Sequence, residues 1–302
     1  MRESIGRSVM RLRAVVPEDA FTVGILGAER IGSGVVIGED GLILTIGYLI
    51  TEASDVWIGL ERGRELAAHP LAYDPVTGLG LVVPLGRLPA EPVPLGESAA
   101  VRVGSRAQVV CAPVLAKPQA VRIQARREFA GAWEYLLEEA IFTLPAHAHW
   151  SGAALIDAEG KLVGLGSLLV RETVGGRETD ANMFVPIDVL KPLVAQLRSG
   201  TPDARAPRPW LGLYAVEVGG RVFITGVAQG GPAERAGLRE GDLLTHLAGA
   251  PVTALPAFYR ALWSLGAAGT AVPLSVLRAD TRLDVTVHSI DRRERLKRPV
   301  RH

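Results

Sequence analysis

The fold is decided around AHWSGAAL, residues 148–155, where a serine and a glycine stand directly before an apolar run. A Ser-Gly pair is common in turns, and the following Ala154-Leu155-Ile156 has the length of a short buried strand. Similar short apolar runs lie on both sides, over residues 20–170, separated by Gly, Asp and Pro. Many short strands at this spacing predict a mostly β region built as a sandwich or barrel.

A helix and a linker divide the chain. Apolar residues at 189, 190, 193, 194 and 197 share one helical face, which predicts a helix that closes the first region. Residues 199–209 hold three prolines and no apolar periodicity, as in an extended linker. We therefore predict a first domain over 1–198, a linker over 199–209, a second domain over 210–290 with five strands and a helix near 256–265, and a basic, solvated tail over 291–302.

Composition narrows the classes of function. The 33 Lys and Arg balance 32 Asp and Glu, so no electrostatic attraction to nucleic acid or to a membrane is expected. The one cysteine, Cys111, lies in an apolar run; it can form no disulfide within the chain and predicts a buried, inert thiol. The first residues lack the apolar run of a signal peptide, which predicts a cytoplasmic chain, or a periplasmic one if a leader has been removed.

The order of motifs resembles the HtrA (Deg) family, trypsin-like double β-barrel proteases followed by a PDZ domain. GSGVVI, residues 32–37, and EDGLILT, residues 39–45, resemble the opening of the family's first barrel. The family continues with Asn-Asn-His-Val-Val, whose His is the catalytic base, whereas this chain has IGYLI, residues 46–50. Tyr48 therefore occupies the position of the base.

Two further elements of the family's active site are also altered. DPVTGLGLV, residues 74–82, resembles the family's Asp-Pro-x-Thr-Asp-Leu-Ala-Val-Leu, and Gly78 stands at the position of the triad Asp. HWSGAAL, residues 149–155, resembles Gly-Asn-Ser-Gly-Gly-Pro-Leu. Ser151 matches the nucleophile there, and His149 replaces the glycine whose N–H faces the developing oxyanion.

The substitutions predict a catalytically inactive member. A serine hydroxyl is a weak nucleophile without an adjacent base, and tyrosine, with an ordinary pKa near 10, is a poor base at neutral pH. An active serine endopeptidase remains an alternative if Ser151 uses a non-standard base, from His147, His149, Lys117 or Lys161. No third ligand accompanies His147 and His149, so no metal and no other cofactor is expected.

The second region carries the most specific motif. GGPAERAGLREGD, residues 230–242, resembles the PDZ pattern, with a proline that starts a short helix and Gly237 that ends it. The resemblance makes Trp210, Leu211, Gly212 and Leu213 the loop that offers N–H groups to a peptide's terminal carboxylate. The peptide would then pair with the following strand, and Tyr259 and Trp263, at i and i+4 on the helix, would line its groove or serve only as packing.

The resemblance thus implies a pseudoprotease that binds peptides or protein C-termini with hydrophobic ends, as a scaffold, regulator or holdase. A second alternative is a structural subunit that modulates an active relative. HtrA-like proteins commonly form trimers, so self-association is implied, with a contribution from residues 16–21.

Overall fold

The computed structural model describes residues 2–112, 118–199 and 205–297, and these residues are mostly β. They form two compact units. The first spans residues 1–127, 139–201 and 296–302, and the second joins residues 202–295 with a short excursion, Glu128–Glu138.

The first barrel is closed, in the strand order β1-β2-β3-β6-β5-β4, and all its pairings are antiparallel. Short alternating or fully apolar strands point Leu12, Ile43, Leu44 and Leu81 into its interior, where each is fully buried. Its strands are β1 Val9–Val15, β2 Glu29–Val36, β3 Ile43–Ile46, β4 Asp55–Gly59, β5 Glu65–Tyr73 and β6 Leu79–Pro84.

The second barrel is also closed, in the order β10-β11-β12-β9-β8-β7. Its core includes Ile123, Ile141, Leu155 and Phe184, each with no exposed surface. Its strands are β7 Arg106–Val110, β8 Gln119–Gly131, β9 Tyr135–Leu144, β10 Ala154–Ile156, β11 Leu162–Val174 and β12 Arg177–Pro186.

The second unit contains a five-strand path, β13-β14-β15-β17-β18, with β16 paired to β15. These are β13 Leu213–Val218, β14 Arg221–Val227, β15 Leu243–Leu247, β16 Ala250–Pro251, β17 Ala271–Arg278 and β18 Thr281–His288. Asp242, fully buried just before β15, is held by Arg278 at 2.6 and 2.7 Å.

Helices are short throughout the described residues. They are α1 Arg2–Ser8, α2 Val23–Leu26, α3 Leu190–Ser199, α4 Pro232–Arg235 and α5 Leu255–Ser264, with 3₁₀ turns at Gly47–Leu49, Glu61–Gly63, Ser98–Ala100, Ile187–Val189 and Arg292–Arg295. None of the helices in the described ranges is long and apolar enough to cross a membrane.

The double-barrel and PDZ architecture expected from the sequence is confirmed, with differences in detail. Strand β1, which closes the first barrel, was not predicted, and β8 and β9 run several residues further than their apolar runs indicated. In the described part of the predicted tail, Arg295 donates to the Gln229 carbonyl and the Lys297 N–H donates to Glu52. Residues 200–204 of the predicted linker and 298–302 of the tail lie outside the described residues.

Candidate functional site

A tight turn before β10 presents Ser151. Gly152 has a φ of +72°, and a Cβ on it would lie 2.0 Å from the Ser33 carbonyl oxygen, so only glycine fits. The Gly152 N–H donates to the Gly166 carbonyl at 2.9 Å, and the Ser33 N–H donates to the Ser151 carbonyl at 2.8 Å. The turn that carries Ser151 is therefore held by backbone hydrogen bonds and by the close approach of Gly152 to Ser33.

Tyr48 contacts Ser151 directly. It lies in the 3₁₀ turn that follows β3, and its hydroxyl oxygen is 2.9 Å from Ser151 Oγ and 2.8 Å from the Ser167 carbonyl oxygen. A tyrosine hydroxyl has one proton, and a carbonyl can only accept, so the proton goes to Ser167. The Ser151 hydroxyl then donates to Tyr48, which leaves both hydroxyls engaged.

The Tyr48 hydroxyl is a weak base near neutral pH. Burial raises the pKa of Tyr48 to about 12, although the hydrogen bond with Ser151 opposes the shift. At pH 7 only about one molecule in 10⁵ would carry a tyrosinate able to accept the serine proton. The structure thus places Tyr48 and Ser151, two of the predicted site residues, next to each other, and Tyr48 is in its neutral form.

Gly78 closes a turn where the family has its triad Asp. Its φ is +75°, its N–H donates to the Asp74 carbonyl at 2.8 Å, and its own carbonyl accepts from the Gly47 N–H at 2.7 Å. No side chain at this position can reach toward residue 48. The position therefore contributes backbone geometry alone.

The N–H at the oxyanion position is already bonded within the loop. The His149 N–H donates to Nδ1 of His147 at 3.0 Å. Burial, and then the charge of His149, lower the pKa of His147, which keeps that nitrogen able to accept. Asn182 holds the backbone of His147 from both sides, at 2.6 and 3.2 Å. This use of His147 was not predicted.

Among the described residues, none of the other candidate bases forms a hydrogen bond with the Ser151 hydroxyl. Tyr48 is the hydrogen-bond partner of Ser151 Oγ among the described residues, His149 is exposed, and Nε2 of His147 points to the sulfur of Cys111 at 3.6 Å. Lys161 pairs with Glu159 at 2.8 Å, and Lys117 lies outside the described residues. Within the described ranges no three His, Cys, Asp or Glu side chains are grouped as metal ligands would be.

The predicted carboxylate loop converges on a carboxylate from this same chain. The N–H groups of Leu211, Gly212 and Leu213 all donate to the Glu134 side chain, at 2.7 to 3.1 Å. Trp210 is buried and forms a backbone bridge with Ile290. Glu134 was missed by sequence reasoning, and an acidic residue between two aromatic ones in a hairpin, AWEY at 132–135, is the signal that could have found it.

Helix α5 forms a wall next to that loop. Tyr259 is fully buried, and its hydroxyl donates to the Gly131 carbonyl at 2.8 Å. Trp263 is partly buried and stacks on Tyr259, with ring centroids 5.5 Å apart and Arg208 on the indole. That the two residues contact an external peptide remains a prediction.

Comparison with known proteins gives a match for each of the two regions that hold these residues. The model of the trypsin-like peptidase domain matches residues 32–165, and that of the PDZ domain matches residues 209–288. The chain is an HtrA-like protein.

Its relatives are similar over most of this HtrA-like chain. A putative serine protease HhoA from Synechocystis sp. is 28% identical, with 85% of this chain and 70% of the relative aligned. A probable periplasmic serine endoprotease, DegP-like, from Pseudomonas putida is 26% identical, over 86% of this chain and 56% of the relative. The HtrA-like chain thus spans little more than half of the second protein's length.

Solved structures share the fold of the HtrA-like chain. The HtrA-type protease AlgW with decapeptide has a TM-score of 0.53 at 21% identity, covering 98% of both chains. The serine endoprotease from Yersinia pestis has a TM-score of 0.52 at 19% identity, covering 95% of both.

Proposed function

We propose that this chain is a proteolytically inactive HtrA-like protein that binds peptides or protein C-termini through its PDZ domain, as a scaffold, regulator or holdase. The relatives are named as proteases. We therefore propose that this chain shares their fold but does not cleave peptide bonds.

The observation that carries the proposal is the hydrogen bond between Tyr48 and Ser151. A hydroxyl whose pKa is raised to about 12 replaces an imidazole that titrates near 6.5. Gly78 supplies no carboxylate to orient or balance a base, and the His149 N–H is engaged by His147. Base, orienting group and oxyanion donor are thus all affected, and in a known triad the loss of the base alone reduces turnover about a million-fold.

The binding half of the proposal is supported by the donors of residues 211–213. Three converging N–H groups hold a carboxylate in this structure, which is the chemistry that a peptide C-terminus requires. Leu211 and Leu213 belong to the apolar core around this loop, which favours a hydrophobic terminal residue in the ligand.

The chemical half is tested by incubating the full chain and Ser151→Ala with fluorescein-labelled casein, with trypsin as a positive control. We expect the same background fluorescence from both forms of the chain over many hours. Cleavage by the unmodified chain that Ser151→Ala abolishes would contradict the proposal and would identify Ser151 as a working nucleophile.

Location and assembly are part of the same proposal. The Pseudomonas putida relative is named as periplasmic, which supports the periplasmic over the cytoplasmic alternative for this chain. We also infer a homotrimer from the family resemblance. Within residues 16–21, the segment expected to contribute to the trimer, the Phe21 N–H donates a hydrogen bond to the Glu52 side chain. Light scattering that gives a monomer mass at micromolar concentration would contradict the trimer.

A further inference from the structure

The hairpin between β8 and β9 turns into the second unit's peptide groove. Its apex, residues 132–134, belongs with flanking residues 128–138 to that unit. Glu134 at the apex is 8% exposed, and its Oε1 accepts from Leu211 at 3.1 Å, Gly212 at 2.7 Å and Leu213 at 2.9 Å. Its Oε2 accepts from the Leu211 N–H at 3.0 Å. Four contacts thus hold the carboxylate.

The backbone of the hairpin also follows the route that a peptide would take. The Ala215 N–H, on β13, donates to the Ala132 carbonyl at 2.9 Å. Opposite, the Tyr259 hydroxyl donates to the Gly131 carbonyl and accepts from the Glu134 N–H, at 2.8 and 3.2 Å. The hairpin therefore lies between β13 and α5, the two elements that border a PDZ groove.

Apolar and charged side chains of the hairpin also contact the second unit. Leu136, 7% exposed, joins a core cluster whose other fully buried members all come from residues 211–287. On the rim, Arg260 of α5 pairs with both Glu128 and Glu138. Buried apolar contact with a charged rim is the anatomy of a specific interface.

The backbone at Glu134, at the apex of the hairpin, has an unfavourable conformation. Glu134 has a φ of +60°, a left-handed conformation that is unfavourable for a residue with a Cβ. Strained residues persist where the surroundings over-determine them, and they cluster at ligand sites. The hydrogen bonds of Glu134 with residues 211–213 and with Tyr259 offset this unfavourable conformation.

We infer that Glu134 is an internal ligand of the carboxylate loop, and that an external C-terminal peptide binds only when hairpin 128–138 leaves the groove. This inference rests on the proposed peptide-binding function and adds its regulation. A tethered ligand acts at an effective concentration in the millimolar range, so it competes strongly with a free peptide. The apparent affinity for that peptide falls with the fraction of molecules whose groove is open.

Glu134→Ala tests the inference, because it removes the carboxylate and leaves the loop intact. Glu139→Ala is the matched control: it removes the same charge five residues along, where the side chain is exposed and pairs with Arg126. Tyr259→Phe releases the hairpin backbone without touching the loop. A thermal melt of each variant establishes that it is folded.

Two readouts are taken at pH 7.5. The first is hydrogen exchange of the Leu211, Gly212 and Leu213 amides. The second is binding of a fluorescein-labelled decapeptide library with free C-terminal carboxylates, and of the same library amidated. We expect Glu134→Ala to lose amide protection and to bind the free-carboxylate library at least about tenfold more tightly than the unmodified chain and Glu139→Ala. Tyr259→Phe should shift both readouts in the same direction.

The outcomes separate the two proposals. Equal library affinity of the unmodified chain and Glu134→Ala, or unchanged protection of the three amides, would overturn the internal-ligand inference and leave peptide binding standing. Lost protection with no library binding by any variant would support the internal ligand and overturn the proposed recognition of C-termini.

Discussion

The turn around Ser151 and the loop at residues 211–213 are the two places where the proposed function would bring in a ligand. In each, the groups that would meet that ligand are bonded within the chain. At Ser151 the partners are Tyr48 and, for the neighbouring N–H, His147. At the loop the partner is the Glu134 carboxylate.

The difference between the two regions lies in what has changed. Under the proposed function, Tyr48 and Gly78 supply neither a strong base nor a carboxylate near Ser151, whereas the N–H donors of residues 211–213 are present and bonded to Glu134. The first change would be one of chemistry and the second one of occupancy.

The largest expected effect concerns the turn at Ser151. Gly152→Ala places a Cβ 2.0 Å from the Ser33 carbonyl oxygen and imposes a left-handed alanine. We expect a loss of more than about 3 kcal/mol in the free energy of unfolding, from the clash and the conformation together. Urea denaturation of the full chain measures it.

Gly104→Ala is the matched control for that variant. Gly104 has a φ of +86°, and no atom lies within 4 Å of a Cβ built on it. Its loss should be only the conformational part, about 1–2 kcal/mol. Equal losses for the two variants would show that the turn yields to the added methyl group and is not rigid.

A smaller effect is expected where the hydroxyl pair is broken. Tyr48→Phe removes the donor to the Ser167 carbonyl and the acceptor for Ser151, which should lower the free energy of unfolding by about 1–2 kcal/mol. A double-mutant cycle with Ser151→Ala should give a coupling energy of about 0.5–1.5 kcal/mol. Additive losses would mean that the two hydroxyls do not stabilise one another.

The smallest effect is the pH dependence of the occupied loop. Burial raises the pKa of Glu134 from 4.5 to about 7, against the lowering effects of the loop N–H groups and Arg292. The docked carboxyl thus binds its proton more tightly than an undocked one. Docking is therefore favoured at acid pH and weakens as the pH rises from about 4.5 through 7. The nearby hydroxyls of Tyr214 and Tyr259 have raised pKa values and stay neutral in this window.

Amide exchange at residues 211–213, corrected for its intrinsic pH dependence, measures that effect. Protection should fall by roughly ten- to thirtyfold between pH 5.5 and 8 in the unmodified chain, as one group titrating between these pKa values requires. Glu134→Ala should show no such change. Protection that increases with pH would assign the titration to a different group.

Local pattern predicted a mostly β chain, and the family resemblance predicted the double barrel followed by a PDZ domain, both of which are confirmed. The turn at Ser151 was recognisable because the left-handed conformation and close packing at Gly152 leave no room for a side chain there. Strand β1 was not predicted, although its arginines alternate with apolar residues in the two-residue period of a half-buried strand. Its place is set by pairing with β2 and β4.

The contacts that determine the state of each site could not be predicted in the same way. Glu134 meets Gly212 across 78 positions of sequence, and no periodicity records such a meeting. His147 was considered as a base or a metal ligand, yet its ring nitrogen accepts the N–H of His149. Both contacts depend on side-chain placement in three dimensions, which composition and spacing do not specify.

The central claim is that Ser151 has no base. A fluorophosphonate probe tests it most directly, because it labels a serine only when the hydroxyl is activated. The full chain would be treated at pH 7.5, with and without the saturating free-carboxylate library, beside Ser151→Ala and trypsin. The account predicts no labelling above the Ser151→Ala background in either state. Labelling of Ser151 that the alanine variant lacks would contradict it.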